Sequence, residues 1–213
     1  MSAPLLRVEG LVKHYRRPWP GRQVSFAMQA EFEIAAPAIV GVMGANGAGK
    51  TTLFELITGG NRPTAGRVLV AGQDIHAVRY RERDRLALHY HQSYQVRSFE
   101  RRLPAFLLER AISDRALVHL FDEPQFNTQD GYIGFMLDFF RRLRDGGRLV
   151  FLCLHPQDKV HLDILSEVCT EYMFMHKDEA RVSRLMSAPT LGTLMREPKV
   201  AAYLGKLQSL VYP

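Results

Sequence analysis

The nine residues Gly44-Ala45-Asn46-Gly47-Ala48-Gly49-Lys50-Thr51-Thr52 carry the most readable chemistry in this chain. They fit G-x-x-x-x-G-K-[ST], a loop whose glycines let backbone N–H groups turn inward around a polyphosphate. Lys50 is placed to reach the terminal phosphates, and the Thr51 hydroxyl offers a hard oxygen to Mg²⁺. A second group closes the apolar run Leu117-Val118-His119-Leu120-Phe121, which ends in Asp122-Glu123-Pro124. A strand beside the loop's own strand would bring Asp122 to Mg²⁺, directly or through water, and aim Glu123 at the γ-phosphate, where a carboxylate orients and deprotonates the attacking water. His155 follows a third apolar run, 32 positions after Glu123. An imidazole at that strand's end, in the same crevice, can hydrogen-bond a γ-phosphate.

These groups need elements to hold them. Ala38–Met43 reads as a buried strand into the loop, and Thr51 to about Ile57 as the helix out of it, with its positive dipole end at the phosphate. Leu5–Val12 reads as a strand, and Lys13–Gly21 as a loop by its prolines and glycine. Val24–Ile34 alternates apolar and polar residues, the pattern of a half-exposed strand. Arg67–Ala71, Ala116–Phe121, Arg148–Leu154 and Tyr172–His176 are further strands. Arg79–Leu88, Leu103–Ser113, Tyr132–Arg144 and Leu162–Cys169 are the helix candidates, and the last 25 residues read as short helices. On the Tyr132–Arg144 helix, Phe135, Met136, Phe139 and Phe140 form an expected core face. Alternating strands and helices imply an α/β fold: a mostly parallel core sheet flanked by helices, with an antiparallel β portion at the N-terminus.

Bulk properties set limits without choosing a function. The chain has 213 residues, 46% of them hydrophobic, enough for one domain with a real core. A net charge of +6 suits a nucleotide or an acidic partner as well as nucleic acid. The two cysteines, Cys153 and Cys169, lie in apolar runs with no metal-ligand spacing and read as buried reduced thiols. His89 and His91 share a strand face, but no third metal ligand accompanies them. No run of 18 apolar residues occurs, so the expected location is cytoplasmic, with membrane attachment only through a partner.

With the loop, the carboxylate-ended strand and His155 in chain order, the sequence resembles the ATP-binding cassette (ABC) ATPases from about Leu5 to Arg181. The resemblance implies a P-loop NTPase fold of ABC type, with ATP and Mg²⁺ as ligands. Gly44, Ala45, Asn46, Gly47, Ala48, Gly49, Lys50, Thr51 and Thr52 are similar to the Walker A loop. Phe121–Glu123 is similar to the end of Walker B, with Asp122 at the metal and Glu123 as the catalytic glutamate. Tyr15 resembles the aromatic that stacks on adenine. Gln92 resembles the glutamine that senses Mg²⁺ and the γ-phosphate, and His155 resembles the switch histidine. The implied catalytic set is Glu123, His155, Lys50 and Gln92, and the implied metal set Thr51, Gln92 and Asp122. Residues 1–186 correspond to the cassette, leaving 187–213 as a short helical extension.

The chain also departs from the family pattern. Near Ser98–Arg102, where the Leu-Ser-Gly-Gly-Gln signature is expected, it reads Ser-Phe-Glu-Arg-Arg, with no glycine for close approach to a partner's phosphate. Only 29 residues lie between Gln92 and Asp122, little room for the usual helical subdomain. Gln125–Asp130 replaces the usual short turn after Walker B. The implied function is an ATPase subunit of a membrane-associated transport or assembly complex. It would act as a homodimer or beside a second cassette bearing an intact signature, with slow hydrolysis alone. The alternative is an ATP-dependent switch or scaffold with incidental turnover. A DNA-associated ATPase using Arg97, Arg101 and Arg102 is a third reading; nucleic acid is the disfavoured partner.

Overall fold

The computed structural model describes residues 3–16, 23–91, 116–124, 132–156 and 158–205. Ten strands form one sheet: β1 (Leu6–Arg16), β2 (Val24–Ile34), β3 (Ile39–Gly44), β4 (Ala65–Val70), β5 (Gln73–Asp74), β6 (Ala87–His91), β7 (Val118–Asp122), β8 (Leu149–Cys153), β9 (Glu171–Lys177) and β10 (Val182–Ala188). The described helices are α1 (Lys50–Ile57), α2 (Tyr80–Arg83), α3 (Tyr132–Asp145), α4 (Lys159–Val168), α5 (Leu191–Met195) and α6 (Pro198–Leu204).

The strand order is β5-β4-β1-β2-β10-β9-β3-β8-β7-β6. From β9 to β6 every neighbouring pair is parallel. From β5 to β2 every pair is antiparallel. β10 is the seam, antiparallel to β9 and parallel to β2 over Val182↔Ala27 and Ser183↔Met28.

In the parallel half β3, β7 and β8 are buried at every residue, because helices cover both faces. Successive side chains point to opposite faces. Val40 and Val42 of β3 join Phe54 of α1 and Phe151 of β8 in one core cluster. Ile39 and Met43 join the opposite cluster, with Phe140 of α3, Leu165 of α4, Leu194 of α5 and Val200 of α6. The short C-terminal helices thus share a core with α3 and α4. Fully burying a side chain such as Phe54 or Phe151 contributes about 1.5–3 kcal/mol.

Several sequence expectations hold. β2 has the expected bounds, α1, α3 and α4 lie where periodicity places them, and both cysteines are buried and free. Three expectations need correction. Tyr15 sits in β1, which runs to Arg16, and not in a loop; hairpin pairing with β2 carries the strand past Val12. The helix expected over Arg79–Leu88 is the four-residue α2, and Ala87 already belongs to β6 because pairing with β7 outweighs helical propensity. Phe135 lies outside the core, 37% exposed, while Met136, Phe139 and Phe140 are buried. β10 has no antecedent in the sequence reading. Among the described residues no helix is long and apolar enough to cross a membrane. Gln92, Arg97, Arg101 and Arg102, the 98–102 signature slot, the helix expected over 103–113 and the 125–130 turn all lie outside the described residues.

Candidate functional site

Because β3, β7 and β8 are parallel, their C-terminal ends lie on one side of the sheet, where open α/β sheets place ligands. β3 ends in the 44–49 turn, which closes with Ala48 N–H on the Ala45 carbonyl at 3.1 Å. Two glycines there are dictated by space and backbone angle. Gly44 has φ 149°, and a Cβ on it would stand 2.3 Å from the Met175 carbonyl oxygen. Gly49, at φ 101°, would push a Cβ to 2.8 Å from the Phe26 ring. Gly49 is the N-cap of α1; no side chain caps that end, and its first turn holds no acidic residue. Its backbone N–H groups and positive dipole end therefore remain for an anion.

Lys50 is only 6% exposed. Its ammonium donates to the Gly44 carbonyl at 2.6 Å and the Ala45 carbonyl at 3.1 Å, which holds it over the turn. An ammonium has three donors, so one remains for a ligand oxygen. The next residue, Thr51, donates from Oγ1 to Asp122 Oδ2 at 2.8 Å.

Strand parity places the Asp122 side chain. Val118 and Leu120 face the α1 side, so Asp122 does too. The same parity brings Cys153 and His89 to that face, because Ala87 and Leu149 lie in the same cluster. His89 Nε2 is 3.4 Å from Asp122 Oδ2, and the His89 ring stands edge-on to Phe54 at 5.6 Å. Burial raises the Asp122 pKa, but the adjacent His89 ring nitrogen and the hydrogen bond from Thr51 outweigh it and hold the carboxyl below the usual carboxylate range. A buried, ionised carboxylate beside a hydroxyl is a set of hard oxygen donors that fits Mg²⁺.

Glu123 follows with φ 51°, a left-handed conformation that a non-glycine residue rarely holds. Its N–H donates to the Cys153 carbonyl at 3.0 Å, which fixes the bend. Glu123 lines a cavity of about 350 Å³ with Tyr15, Phe26 and residues of the 46–52 segment. Tyr15 and Phe26 are paired across the β1–β2 hairpin, their rings 5.7 Å apart. Lys13 Nζ lies 4.8 Å from the Tyr15 ring centroid, and Asn61 hydrogen-bonds the Tyr15 hydroxyl.

His155 is placed differently. It follows β8, half-buried, with Nδ1 2.7 Å from the Tyr203 hydroxyl of α6. It is not among the residues lining the Glu123 cavity.

The structure therefore brings together Tyr15, the 44–52 segment, Asp122 and Glu123, and holds His155 at a neighbouring strand end. Sequence reasoning missed Phe26, His89 and Tyr203 as neighbours of the site. Hairpin register pairs Phe26 with Tyr15, and strand parity puts His89 on the face of Asp122; both follow only once strand pairing is known. No sequence signal links Tyr203 to His155.

A family described as "ABC transporter" matches residues 27–105. The chain is 40% identical over 86 residues to the lipopolysaccharide export system ATP-binding protein LptB of Acidithiobacillus ferridurans, covering 40% of this chain and 33% of that one. It is 42% identical over 80 residues to the methionine import ATP-binding protein MetN of Bradyrhizobium diazoefficiens, covering 37% of this chain and 22% of that one. These matches span a third or less of each relative's length. The fold matches the ATP-binding subunit of an ABC transporter with TM-score 0.65 at 19% identity, covering 98% of this chain and 100% of that one. It also matches the ADP conformation of MJ1267, an ATP-binding cassette of an ABC transporter, with TM-score 0.67 at 15% identity, covering 95% and 98%.

Proposed function

We propose that this chain, an ATP-binding cassette nucleotide-binding domain by fold and by its family match over residues 27–105, binds Mg-ATP and hydrolyses it as a subunit of a membrane-associated complex. The observation that carries the reading is the convergence of an uncapped helix N-terminus, Lys50, the Thr51–Asp122 bond and Glu123 at the ends of adjacent parallel strands. In this reading the 44–49 turn and the α1 amides bind the phosphates. Lys50 supplies charge at the β- and γ-phosphates, and Tyr15 stacks on the base with Phe26 behind it. Thr51 and Asp122, with Gln92, hold Mg²⁺, which when bound neutralises charge on the phosphate oxygens. Glu123 orients the attacking water and takes its proton. His155 donates a hydrogen bond to the γ-phosphate.

Membrane association is supported in this reading by the roles of similar proteins, one the ATP-binding protein of an export system and one a methionine import ATP-binding protein. We place the chain on the cytoplasmic face, bound to a membrane subunit and paired with itself or with a signature-bearing cassette. Residues 1–186 form the cassette in this scheme and 187–213 an extension. The glycine-free 98–102 segment supports slow turnover for the chain alone, because the partner's γ-phosphate lacks close backbone donors.

The test is Mg-dependent phosphate release by the purified chain and its Glu123→Gln variant, each with and without copurifying subunits. The reading requires turnover that collapses in the variant while nucleotide binding persists. Tight binding with a rate that Glu123→Gln leaves unchanged would instead make the chain an ATP-dependent switch.

A further inference from the structure

Helix α6 brings a tyrosine to the strand end that carries His155. Pro198 opens it with φ suited to a first turn, and Gly205 closes it at φ 51°. Val200 and Leu204 anchor it in the core shared with α3 and α4. These anchors leave Tyr203 directed at the strand ends. Its ring lies 5.3 Å from the Phe174 ring and 5.6 Å from the His155 ring, with its hydroxyl 2.7 Å from His155 Nδ1.

Which partner donates follows from the chemistry of the two groups. A phenol has one O–H donor and accepts through its oxygen. Burial pushes the Tyr203 pKa up to about 12, so the proton stays on the oxygen at neutral pH. A neutral imidazole nitrogen is far more basic than a phenol oxygen and is the better acceptor of the two. The O–H therefore donates across the 2.7 Å contact to Nδ1, which carries no proton in that bond. A neutral imidazole whose Nδ1 accepts carries its proton on Nε2.

We propose that Tyr203 is a positioning residue that fixes His155 in the Nε2–H tautomer, the form that can donate to a phosphate oxygen. The C-terminal helix thereby becomes part of the nucleotide site. Partners that orient a functional imidazole through its second nitrogen have the same effect on metal-bound histidines, where losing them costs about 10–100-fold. The proposal rests on the reading of His155 as the γ-phosphate contact, but the tautomer itself is observable without turnover.

The experiment is ¹⁵N spectroscopy of the full chain carrying ¹⁵N-labelled histidine, with His155 assigned by its loss in His155→Gln. In the wild-type chain Nδ1 is expected at the shift of an unprotonated acceptor and Nε2 at that of a protonated nitrogen. Tyr203→Phe, which keeps the ring and its packing, is expected to shift His155 toward a tautomer mixture and to lower kcat about tenfold with KM little changed. An Nδ1–H tautomer in the wild-type chain, or a tautomer unchanged in Tyr203→Phe, overturns the proposal. Absence of turnover in the wild-type chain would remove the ATPase reading and leave the tautomer result legible.

Discussion

In the parallel half of the sheet, β3, β7 and β8 are buried on both faces, and their ends carry the turn, the carboxylates and His155. In the antiparallel half, β1 and β2 mix buried with exposed residues, and among the described residues they line the site with Tyr15 and Phe26. The two halves meet through β10, paired with β2 at two positions. The difference teaches a division of labour. Strands covered by helices on both sides hold polar groups in fixed register, as reaction chemistry requires. In the proposed function a half-exposed strand pair is enough to present aromatic faces to a base, where geometry is tolerant.

Substitutions on the two sides should then fail in different ways. The largest effect is expected from Glu123→Gln in the parallel half: turnover falls by at least about 100-fold, the scale of a lost general base, with the unfolding midpoint unchanged. Phosphate release and thermal denaturation measured on the same preparation check this. A comparable loss from any substitution confined to β1 would break the division.

The second effect is on stability and also belongs to the parallel half. His119 in β7 is 0% exposed, its Nδ1 3.1 Å from the Tyr90 hydroxyl and its Nε2 3.2 Å from the Ala116 carbonyl. Burial pulls its pKa down to about 4, against the partial opposition of the Ala116 carbonyl. The unfolded imidazole titrates near 6.5, so between about 6.5 and 4 the unfolded chain binds more protons than the folded one. The contribution is complete above about pH 6.5 and lost as pH falls toward 4, reaching about 3 kcal/mol there. Denaturant titrations at pH 7 and pH 4 should show this extra acid loss in the wild-type chain and its absence in His119→Leu.

A smaller, separable effect is expected in the antiparallel half. Tyr15→Ala removes a stacking face worth about 1–3 kcal/mol, so nucleotide affinity drops by about 5- to 150-fold while turnover at saturation is kept. A titration with fluorescent ATP analogue, paired with a saturation curve, reads both. The smallest effect is at Arg7, whose guanidinium lies against Glu33 with a side chain 42% exposed. Arg7→Ala should leave both turnover and the denaturation midpoint within the scatter of replicate measurements, because exposed pairs are screened.

Legibility divides along the same line. The 44–52 segment, Asp122 and Glu123 were readable because a glycine-rich turn and an apolar strand ending in carboxylates are local patterns. β2 was readable because its alternation is local too. Tyr15 reads as a loop residue in the sequence, but pairing with β2 prolongs β1 past it. β6 was partly read as helix because charged residues around α2 obscured a strand that parallel pairing stabilises. β10 reads Val-Ser-Arg-Leu-Met-Ser-Ala, with little β-branched or aromatic content, and exists through its neighbours. His89 near Asp122 and Tyr203 on His155 are tertiary contacts, separated by 33 and 48 positions, that no local spacing encodes.

Nucleotide binding itself tests the account most directly. Equilibrium dialysis of the purified chain against labelled ATP with Mg²⁺ is predicted to show saturable uptake near one nucleotide per chain. Lys50→Ala should weaken it by about tenfold or more, as loss of a charge-assisted contact requires. No saturable uptake at millimolar nucleotide, or uptake indifferent to Lys50→Ala, would contradict it.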